Sequence, residues 1–367
     1  MSSPKINLLN LSPGGLRQLM TDLGEQPYRA QQLLKWIYRR GADDFAVMTD
    51  LRRSLRQRLD ELAVIAAPPV VDEQCAADGT RKWVLDIGGG ELIETVCIPE
   101  EGRTTLCVST QAGCPLGCTF CHTGAQGFSR NLSLAEIIGQ VYRAATRLGF
   151  RGERDVRPIS NVVMMGMGEP LLNLRAVLGA VELLLSDHAF GLSKRRVTIS
   201  TAGLSPVLNR MAGRVDVALA LSLHAPNDEL RRRLMPIGAR YDIASVLSAV
   251  RNYISRSNAN CGRVVIEYVL LDHVNDHVRH ARELAQLLCD LPCKINLIPF
   301  NPHAGACYAR PSAQRVDRFR GVLLERGFTV TVRATRGDDI RAACGQLAGL
   351  VRRGGAPAPL PIPALQV

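Results

Sequence analysis

Short strand-like runs and helical patterns alternate along the chain from residue 105 onward. The strand-like runs are rich in β-branched residues and cover residues 105–110, 161–165, 196–200, 217–221, 264–270, 294–298 and 328–332. Helical periodicity lies between them, at residues 134–148, 174–185, 243–254, 278–288 and 316–324. This alternation predicts an α/β fold with a parallel sheet and helices outside it, either doubly wound or barrel-like.

Polar residues and glycines follow most of these runs, where the carboxyl ends of parallel strands bind ligands. They include Gly166, Gly168, Glu169, Ser200, Ser222, His224 and Asn301. Taken one at a time, a tight turn explains the glycines, helix caps explain the serines, and a structural role explains His224. Glu169 suits an acceptor for a ligand ammonium group, because carboxylate–ammonium hydrogen bonds are charge-assisted. Their recurrence at successive strand ends favours a ligand site.

Three cysteines, Cys114, Cys118 and Cys121, follow the first strand-like run with the spacing C-x3-C-x2-C. Three thiolates can hold three irons of a 4Fe–4S cluster and leave the fourth iron for the amino and carboxylate groups of S-adenosylmethionine (SAM). The alternatives are chance clustering and structural zinc, but zinc normally needs a second ligand pair, and none follows nearby. A helix with a capping box, Ser133 to Glu136, comes next. Strand, cysteine loop and helix in this order resemble the radical-SAM superfamily.

The residues before this core predict a small helical, basic module. Its last apolar stripe is Leu51, Leu55, Leu59 and Leu62, and arginines 52, 53, 56 and 58 lie on the other side. Such a face is usually only solvated, but here it could also bind RNA phosphates. We divide the chain into a helical accessory domain (1–67), a β-hairpin extension (68–104), an α/β core (105–347) and a disordered tail (348–367).

Composition narrows the class of protein. The formal net charge of +11 favours a polyanionic partner. The chain has 11 cysteines but no recognisable signal peptide and no apolar run of membrane-spanning length. We therefore expect a cytoplasmic protein, away from membranes, whose thiols are mostly reduced and serve metal or redox chemistry.

Five motifs together resemble the RlmN family, bacterial dual-specificity RNA methyltransferases that act on C2 of adenosine. They are VSTQAGC (108–114), GFSRN (127–131), MGMGEP (165–170), SLHA (222–225) and GDDIRAACGQ (337–346). The resemblance extends from the first helices to Leu347. It implies a partial (βα)6-type radical-SAM barrel with an N-terminal helical domain, a β-hairpin extension and one 4Fe–4S cluster. The SAM contacts that it implies are Gly168, Glu169, Ser200, Ser222, Leu223, His224 and Asn301.

The resemblance also implies the reaction. C2 of adenine is electron-poor and cannot attack a sulfonium methyl group, whereas a carbon radical can add to it. Cys344 is the implied methyl carrier, Cys107 the thiol that resolves a covalent protein–RNA adduct through a disulfide, and Glu94 the proton acceptor. Two SAM molecules are used per turnover, and the substrates are adenosine 2503 of 23S rRNA and adenosine 37 of certain tRNAs. A flavodoxin- or ferredoxin-type electron donor and a monomeric enzyme are expected.

Alternatives remain at this stage. A related resistance methyltransferase directed at C8 of the same rRNA shares the cluster triplet and both cysteines. A non-catalytic iron–sulfur RNA-binding protein would leave Cys107 and Cys344 unexplained. For Glu94, a surface charge on the hairpin is the simpler interpretation without the resemblance. The remaining cysteines, which we predict to be small buried hydrophobic residues, are Cys75, Cys97, Cys261, Cys289, Cys293 and Cys307.

Overall fold

The computed structural model describes residues 4–149, 158–303 and 305–349. The tail predicted at 348–367 lies outside the described residues from position 350 onward. The chain begins with β1 (Ile6–Asn7), followed by the helices α1 (Pro13–Asp22), α2 (Arg29–Leu34) and α3 (Arg53–Leu62). It then returns in β2 (Ala63–Val64), which pairs in parallel with β1.

The amino-terminal helices pack their apolar stripes into one core. Leu16, Leu33, Leu55 and Leu59 are fully or almost fully buried there. Leu62 was predicted to continue this stripe but is 46% exposed, because it ends α3 where the chain turns away into β2. This amino-terminal unit contacts the helix Leu134–Arg147: the Ala135 N–H donates to the Asn10 side chain (3.2 Å), and the Tyr142 hydroxyl donates to the Gly41 carbonyl (3.0 Å).

Four antiparallel strands come next: β3 (Val70–Cys75), β4 (Arg81–Asp86), β5 (Leu92–Glu100) and β6 (Arg103–Cys107). The predicted hairpin is β4–β5, turning through three glycines with positive φ. The first strand of the core is shorter than predicted and ends at Cys107. Beyond it, the backbone N–H groups of Thr110 and Gln111 donate to the Met167 carbonyl. This segment therefore leaves the sheet and packs against a neighbouring loop.

The remaining elements alternate as predicted. Around the cysteine loop they are β7 (Gln111–Gly113), α4 (His122–Gln126), β8 (Phe128–Asn131) and α5 (Leu134–Arg147). The next are β9 (Asn161–Met164), α6 (Leu174–Leu185), β10 (Val197–Thr201), α7 (Ser205–Met211), β11 (Ala218–Ser222), α8 (Asp228–Leu234) and α9 (Ile243–Ile254). The last are β12 (Val264–Leu270), α10 (Val278–Leu287), β13 (Cys293–Pro299), α11 (Ala313–Glu325) and β14 (Thr329–Val332).

The order of the strands identifies the architecture. β7 and β8 pair with each other in a separate two-stranded sheet. Apart from them, each strand from β6 to β14 lies beside the next one in the chain, and all these neighbours are parallel. A doubly wound sheet would reverse direction at a switch point. The sheet therefore winds one way, as in a partial barrel, and the antiparallel strands β5 to β3 extend its first edge. Within the described residues, no helix is long and apolar enough to cross a membrane.

Candidate active site

One cavity opens at the carboxyl ends of the parallel strands. Its volume is about 940 Å³ including the open mouth, a size that suits a small-molecule ligand. The sequence-predicted residues that line it are Cys114, Cys118, Cys121, Gly168, Glu169, Ser200, Ser222, His224, Asn301 and Cys344. Three others, Leu223, Cys107 and Glu94, are not part of the lining. The Leu223 side chain is completely buried in the apolar core.

Backbone hydrogen bonds hold the cysteine loop in place. The Cys114 N–H donates to the Gly127 carbonyl (2.7 Å), and the Thr119 N–H donates to the Leu234 carbonyl at the end of α8 (3.0 Å). Gly113 has a φ of +76°, and a Cβ at this position would lie 2.0 Å from the Gly127 oxygen. Glycine is therefore required where β7 meets β8. All three cysteines are half-buried and pack against an apolar group that includes α8.

The electrostatics of the three thiols suit the cationic core of an iron–sulfur cluster. Burial raises the pKa of Cys114, Cys118 and Cys121, and neighbouring thiols raise those of Cys114 and Cys118 further. Ligation by metal overcomes both effects, because a coordinating thiol is deprotonated outright. Among the described residues, no group of three His, Cys, Asp or Glu side chains is arranged around one metal ion. A cluster spaces its ligands more widely, since each thiolate binds a different iron, so the triplet fits a 4Fe–4S cluster.

Glu169 follows β9 and faces the cavity. Its side-chain oxygens accept hydrogen bonds from the backbone N–H groups of Leu171 (3.0 Å) and Ala202 (2.8 Å). Burial raises the pKa of this carboxyl to about 7, against the lowering effect of these bonds. A carboxylate has about four acceptor positions, so it retains capacity for a ligand ammonium group.

The two glycines before Glu169 bring two loops together. A Cβ on Gly166 would lie 2.8 Å from the Ser109 nitrogen. Gly168 has a φ of +101°, and a Cβ there would lie 2.5 Å from the Gln111 Cβ. Gln111 in turn accepts a hydrogen bond from the Glu169 N–H (2.8 Å). The glycines therefore fix the position of Glu169, in addition to the close ligand approach that we expected of them.

His224 has a defined tautomer. Its Nδ1 accepts a hydrogen bond from the Val269 N–H (3.0 Å), and burial lowers its pKa to about 3. The ring is therefore neutral with its proton on Nε2, and it presents a donor to any ligand. Its backbone has a φ of +58°, and its carbonyl accepts a hydrogen bond from the buried Asn275 side chain (2.9 Å). Ser200 and Ser222 lie inside β10 and β11, so neither is a helix cap.

Asn301 connects the cavity to the loop of Cys344. Its Nδ2 donates to the Cys344 carbonyl (3.3 Å), and its Oδ1 accepts from the Thr335 hydroxyl (3.1 Å). The same loop is joined to α4, which begins directly after the cysteine triplet. The His122 N–H donates to the Gly345 carbonyl (2.8 Å), and the Thr123 hydroxyl donates to the Leu347 carbonyl (2.7 Å). Cys344 is therefore held beside the triplet from two sides.

Cys107 and Cys344 share the electrostatic field of Arg333, which follows β14 and lines the cavity. Burial raises the pKa of Cys107 to about 12, the Cys344 thiol raises it further, and Arg333 opposes the rise. Burial raises the pKa of Cys344 as well, again against Arg333. Cys107 ends β6, the first parallel strand, whereas Arg333 and Cys344 follow β14, the last one. The two ends of the parallel sheet thus supply two thiols and one cation to the same region.

Glu94 is buried on the hairpin, which excludes the simpler interpretation of a surface charge. One carboxylate oxygen lies 3.2 Å from the Lys82 ammonium, and the other accepts a hydrogen bond from the Ala348 N–H (2.9 Å). The second contact places Glu94 next to the segment that carries Cys344.

The prediction for the six other cysteines is wrong for most of them. Only Cys97 is buried, and Cys293 is half-buried. The exposed thiols are Cys75, Cys261, Cys289 and Cys307. They lie in turns, in a loop or at a strand end, where the small side chain is open to solvent. All 11 cysteines are free thiols in the structure.

Sequence reasoning missed the charged and polar groups that support the site. By residue type, three of them do not differ from ordinary strand or loop residues, namely Arg333, Lys82 and Asn275. Strand alternation was one available signal for Lys82. It shares a face of β4 with Val84, and Val84 pairs with Glu94 on β5. Asn275 is completely buried and bridges two strand ends, which no local pattern indicates.

Comparison with known proteins supports the chemistry inferred from this geometry. The chain matches the family models for the ribosomal RNA large subunit methyltransferase N-terminal domain, over residues 6–65, and for the radical SAM superfamily, over residues 108–285. The crystal structure of a radical SAM methyltransferase from Sphaerobacter thermophilus is 43% identical, with a TM-score of 0.85, and the match covers 93% of this chain and 99% of that chain.

Two other solved structures are much less similar. A domain of the pyruvate-formate lyase-activating enzyme from Bacteroides vulgatus is 18% identical, with a TM-score of 0.37, over 48% of this chain and 99% of that chain. SuiB from Streptococcus suis, bound to S-adenosylmethionine, is 11% identical, with a TM-score of 0.45, over 64% of this chain and 52% of that chain.

The partial barrel, the cysteine loop and these matches define a radical SAM methyltransferase, which binds a 4Fe–4S cluster and SAM. The barrel predicted from the sequence is thereby confirmed. Within this class the chain belongs to the RlmN family, whose members act on ribosomal and transfer RNA.

Proposed function

We propose that this protein methylates C2 of adenosine 2503 in 23S rRNA and of adenosine 37 in certain tRNAs, with two SAM molecules per turnover. The observation that carries the proposal is the meeting of Cys107, Cys344 and Arg333 beside the cavity of the cysteine triplet. A non-catalytic iron–sulfur protein would have no use for two convergent thiols at this place.

The cysteine triplet would hold the cluster, which when bound supplies the electron for reductive cleavage of SAM. Glu169, His224 and Asn301 are the groups that we assign to SAM recognition. Glu169 offers an acceptor to the ligand amino group, whereas His224 offers a donor at Nε2. Ser200, Ser222 and the glycine at 168 complete the cavity wall. Leu223 can contribute only through its backbone, because its side chain is in the core.

Cys344 is the methyl carrier in this proposal. Its thiolate would accept a methyl group from one SAM molecule. A hydrogen atom of that methyl group would pass to the 5′-deoxyadenosyl fragment of the second SAM, so that the remaining carbon can add to C2 of the adenine. Arg333 favours the thiolate, since its positive charge opposes the effect of burial on the pKa of Cys344. Asn301 holds the carbonyl of the same residue, so the sulfur is presented from a fixed backbone.

Two further groups would release the product. Glu94 removes the proton from C2 of the adduct, and Lys82 forms an ion pair with this carboxylate in its buried position. The unpaired electron of the adduct would return to the cluster. Cys107 would then attack the sulfur of Cys344 and form a disulfide, and the carbon that leaves this sulfur would take up a proton to complete the methyl group of the RNA. Burial raises the pKa of Cys107 to about 12, so the thiol must lose its proton for this step. Arg333 lowers the energy of the resulting thiolate.

The proposal also covers the partners. The exposed arginines of α3, Arg53 and Arg58, suit phosphate contacts of an RNA substrate. Radical SAM enzymes require a reductant, and we assign this role to a flavodoxin- or ferredoxin-type donor. We further propose that the enzyme acts as a monomer.

The test is an anaerobic assay of the reconstituted protein with SAM, reductant and 23S rRNA that lacks the modification. Mass spectrometry of the nucleosides should show 2-methyladenosine at position 2503, and the same assay with tRNA should show it at position 37. Methylation at C8 would instead assign the protein to the related resistance activity. Absence of any methylated adenosine, with full cluster content and SAM cleavage intact, would reject both.

A further inference from the structure

Arg231 on α8 is a completely buried cation that forms no ion pair with a carboxylate among the residues that the structure describes. The fraction of its surface that is exposed is 0%, although arginine is almost never fully buried unless it is paired. Its Nη1 donates to the Tyr241 carbonyl (3.0 Å) and its Nη2 to the Ala202 carbonyl (2.5 Å). In the part of the chain that the structure describes, Nε has no hydrogen-bond partner. Backbone carbonyls alone do not balance its full positive charge.

The surroundings of Arg231 point to the cysteine loop as the missing negative partner. The last residue of α8, Leu234, accepts hydrogen bonds from both the backbone N–H and the hydroxyl of Thr119, which lies between two cysteines of the triplet. Ala202, which Arg231 contacts, lines the cavity together with Cys118. Burial raises the pKa of Cys118, and Arg231 is the cation that opposes this rise.

Arg231 is separated from the cavity itself. It is absent from the lining, whereas Ala202 and Met235, which are hydrogen-bonded to it, belong to the lining. The guanidinium therefore acts on the cavity through its charge and not by contact with SAM. Two carboxylates also act on Arg231 electrostatically, Asp228 more strongly and Asp242 less strongly than Cys118. The Oδ1 atom of each already accepts a backbone N–H, from Ile243 (2.8 Å) and Ser245 (2.7 Å) respectively.

We propose that Arg231 acts on the cluster electrostatically, without contact. Its buried positive charge raises the reduction potential of the cluster held by Cys114, Cys118 and Cys121. A cluster with three thiolates is anionic and gains one more negative charge when it is reduced. A buried cation behind one ligand stabilises the reduced form more than the oxidised form, because Coulomb energies are large where solvent is excluded. Net charge and nearby dipoles are known determinants of cluster potentials.

The inference rests on the cluster and not on which RNA position is methylated. Its test is a redox titration of the reconstituted protein with mediators, monitored by electron paramagnetic resonance, without RNA. Arg231→Gln should shift the midpoint potential to more negative values. We expect at least a tenfold lower ratio of reduced to oxidised cluster at a fixed potential, which corresponds to about 59 mV for a one-electron couple. Arg231→Lys, which keeps the charge, should lie close to the wild type.

Matched controls lie on the same helix. Arg232 and Arg233 are exposed, and Arg232→Gln and Arg233→Gln should leave the potential unchanged, because solvent screens their charges. Iron content measured for every variant separates an electrostatic effect from a poorly filled site. A merely structural role of Arg231 would lower iron content or stability but leave the potential of the remaining clusters unchanged.

Asp228→Asn should shift the reduction potential of the cluster in the direction opposite to that of Arg231→Gln. Asp228→Asn retains an acceptor for the Ile243 N–H but removes the negative charge beside Arg231. The potential should then become more positive. This result supports the proposal even if Arg231→Gln fails to bind iron. A wild-type potential in fully loaded Arg231→Gln, or an unchanged potential in Asp228→Asn, would overturn it.

Discussion

The ammonium of Lys82 lies 3.2 Å from a carboxylate oxygen of Glu94, and both side chains are more than nine-tenths buried. The two residues sit on neighbouring strands of the hairpin that extends the barrel. Because the other Glu94 oxygen accepts the Ala348 N–H, this ion pair also anchors the segment that follows Cys344. A carboxylate proposed for proton transfer is thus paired with an ammonium group more than ten residues away in the sequence.

The first prediction concerns this pair. Lys82→Met should lower the free energy of unfolding by about 3–5 kcal/mol, because it leaves an uncompensated buried carboxylate. Denaturant titration measures the effect. Lys294→Met, which removes an exposed ammonium from β13, should change the free energy by no more than about 0.5 kcal/mol. Adding Glu94→Gln to Lys82→Met should recover most of the loss; a purely additive double variant would contradict the ion pair.

The second prediction concerns the cysteine triplet. Single Cys→Ala changes at positions 114, 118 and 121 should abolish the brown colour of anaerobically reconstituted protein and its complement of about four irons per chain. Cys289→Ala, which changes an exposed thiol, should retain both. Stoichiometric zinc in the wild type, without a reducible cluster, would count against the assignment.

The third prediction is a pH dependence of SAM binding. Burial raises the pKa of Glu169 to about 7, so the carboxyl gains its proton as the pH falls through this value. SAM affinity should therefore decrease by up to about tenfold per pH unit below 7, with proton release on binding detectable by calorimetry in two buffers. Glu169→Gln should bind weakly at every pH, and Glu182→Gln, an exposed control, should behave as the wild type. A pH-independent wild type would remove Glu169 from ammonium recognition.

Folding favours the protonated form of the Glu169 carboxyl, whereas SAM binding favours its charged form. Its pKa in the folded state lies above the value of 4.5 for the free group, so the folded protein holds the proton more tightly. Its contribution to stability is complete below pH 4.5 and is lost as the pH rises through about 7.

The fourth prediction separates the two thiols. Cys344→Ala should lack both methyl-cysteine and RNA methylation. Cys107→Ala should permit addition to the RNA and then stop, so that the protein copurifies with RNA bound covalently through Cys344. Cys75→Ala, which alters an exposed thiol on β3, should turn over normally. Normal turnover of Cys107→Ala, or an adduct at another cysteine, would show that the assigned roles are wrong.

The strongly periodic parts of the fold were predictable from the sequence. The bounds of α6 and α9 agree with the prediction, because a 3.6-residue apolar repeat faces the sheet along their whole length. The capping box of α5 is present with both of its hydrogen bonds. The position of the site followed from topology, since parallel strands gather the residues after their carboxyl ends.

Other features depend on contacts that no local pattern encodes. Strand β3 carries a mostly polar and exposed sequence, so only pairing with β4 makes it a strand. The environments of two cations are equally hidden: Arg231 is completely buried and Arg333 half-buried, although both resemble surface residues in the sequence. Groups that act on them come from segments far along the chain, namely Cys118 of the cysteine loop for Arg231 and the strands of Glu267 and Cys107 for Arg333.

The one-way order of the strands has a consequence for biosynthesis. The ribosome releases the cysteine loop early, while β14 and the Cys344 loop that complete its surroundings are made more than two hundred residues later. Until then the N–H of His122 lacks the Gly345 carbonyl, and the thiols face water. Contacts between such distant segments form late and slowly. We therefore expect iron–sulfur insertion to follow translation of the core, because a truncated nascent chain lacks the segments that complete the pocket.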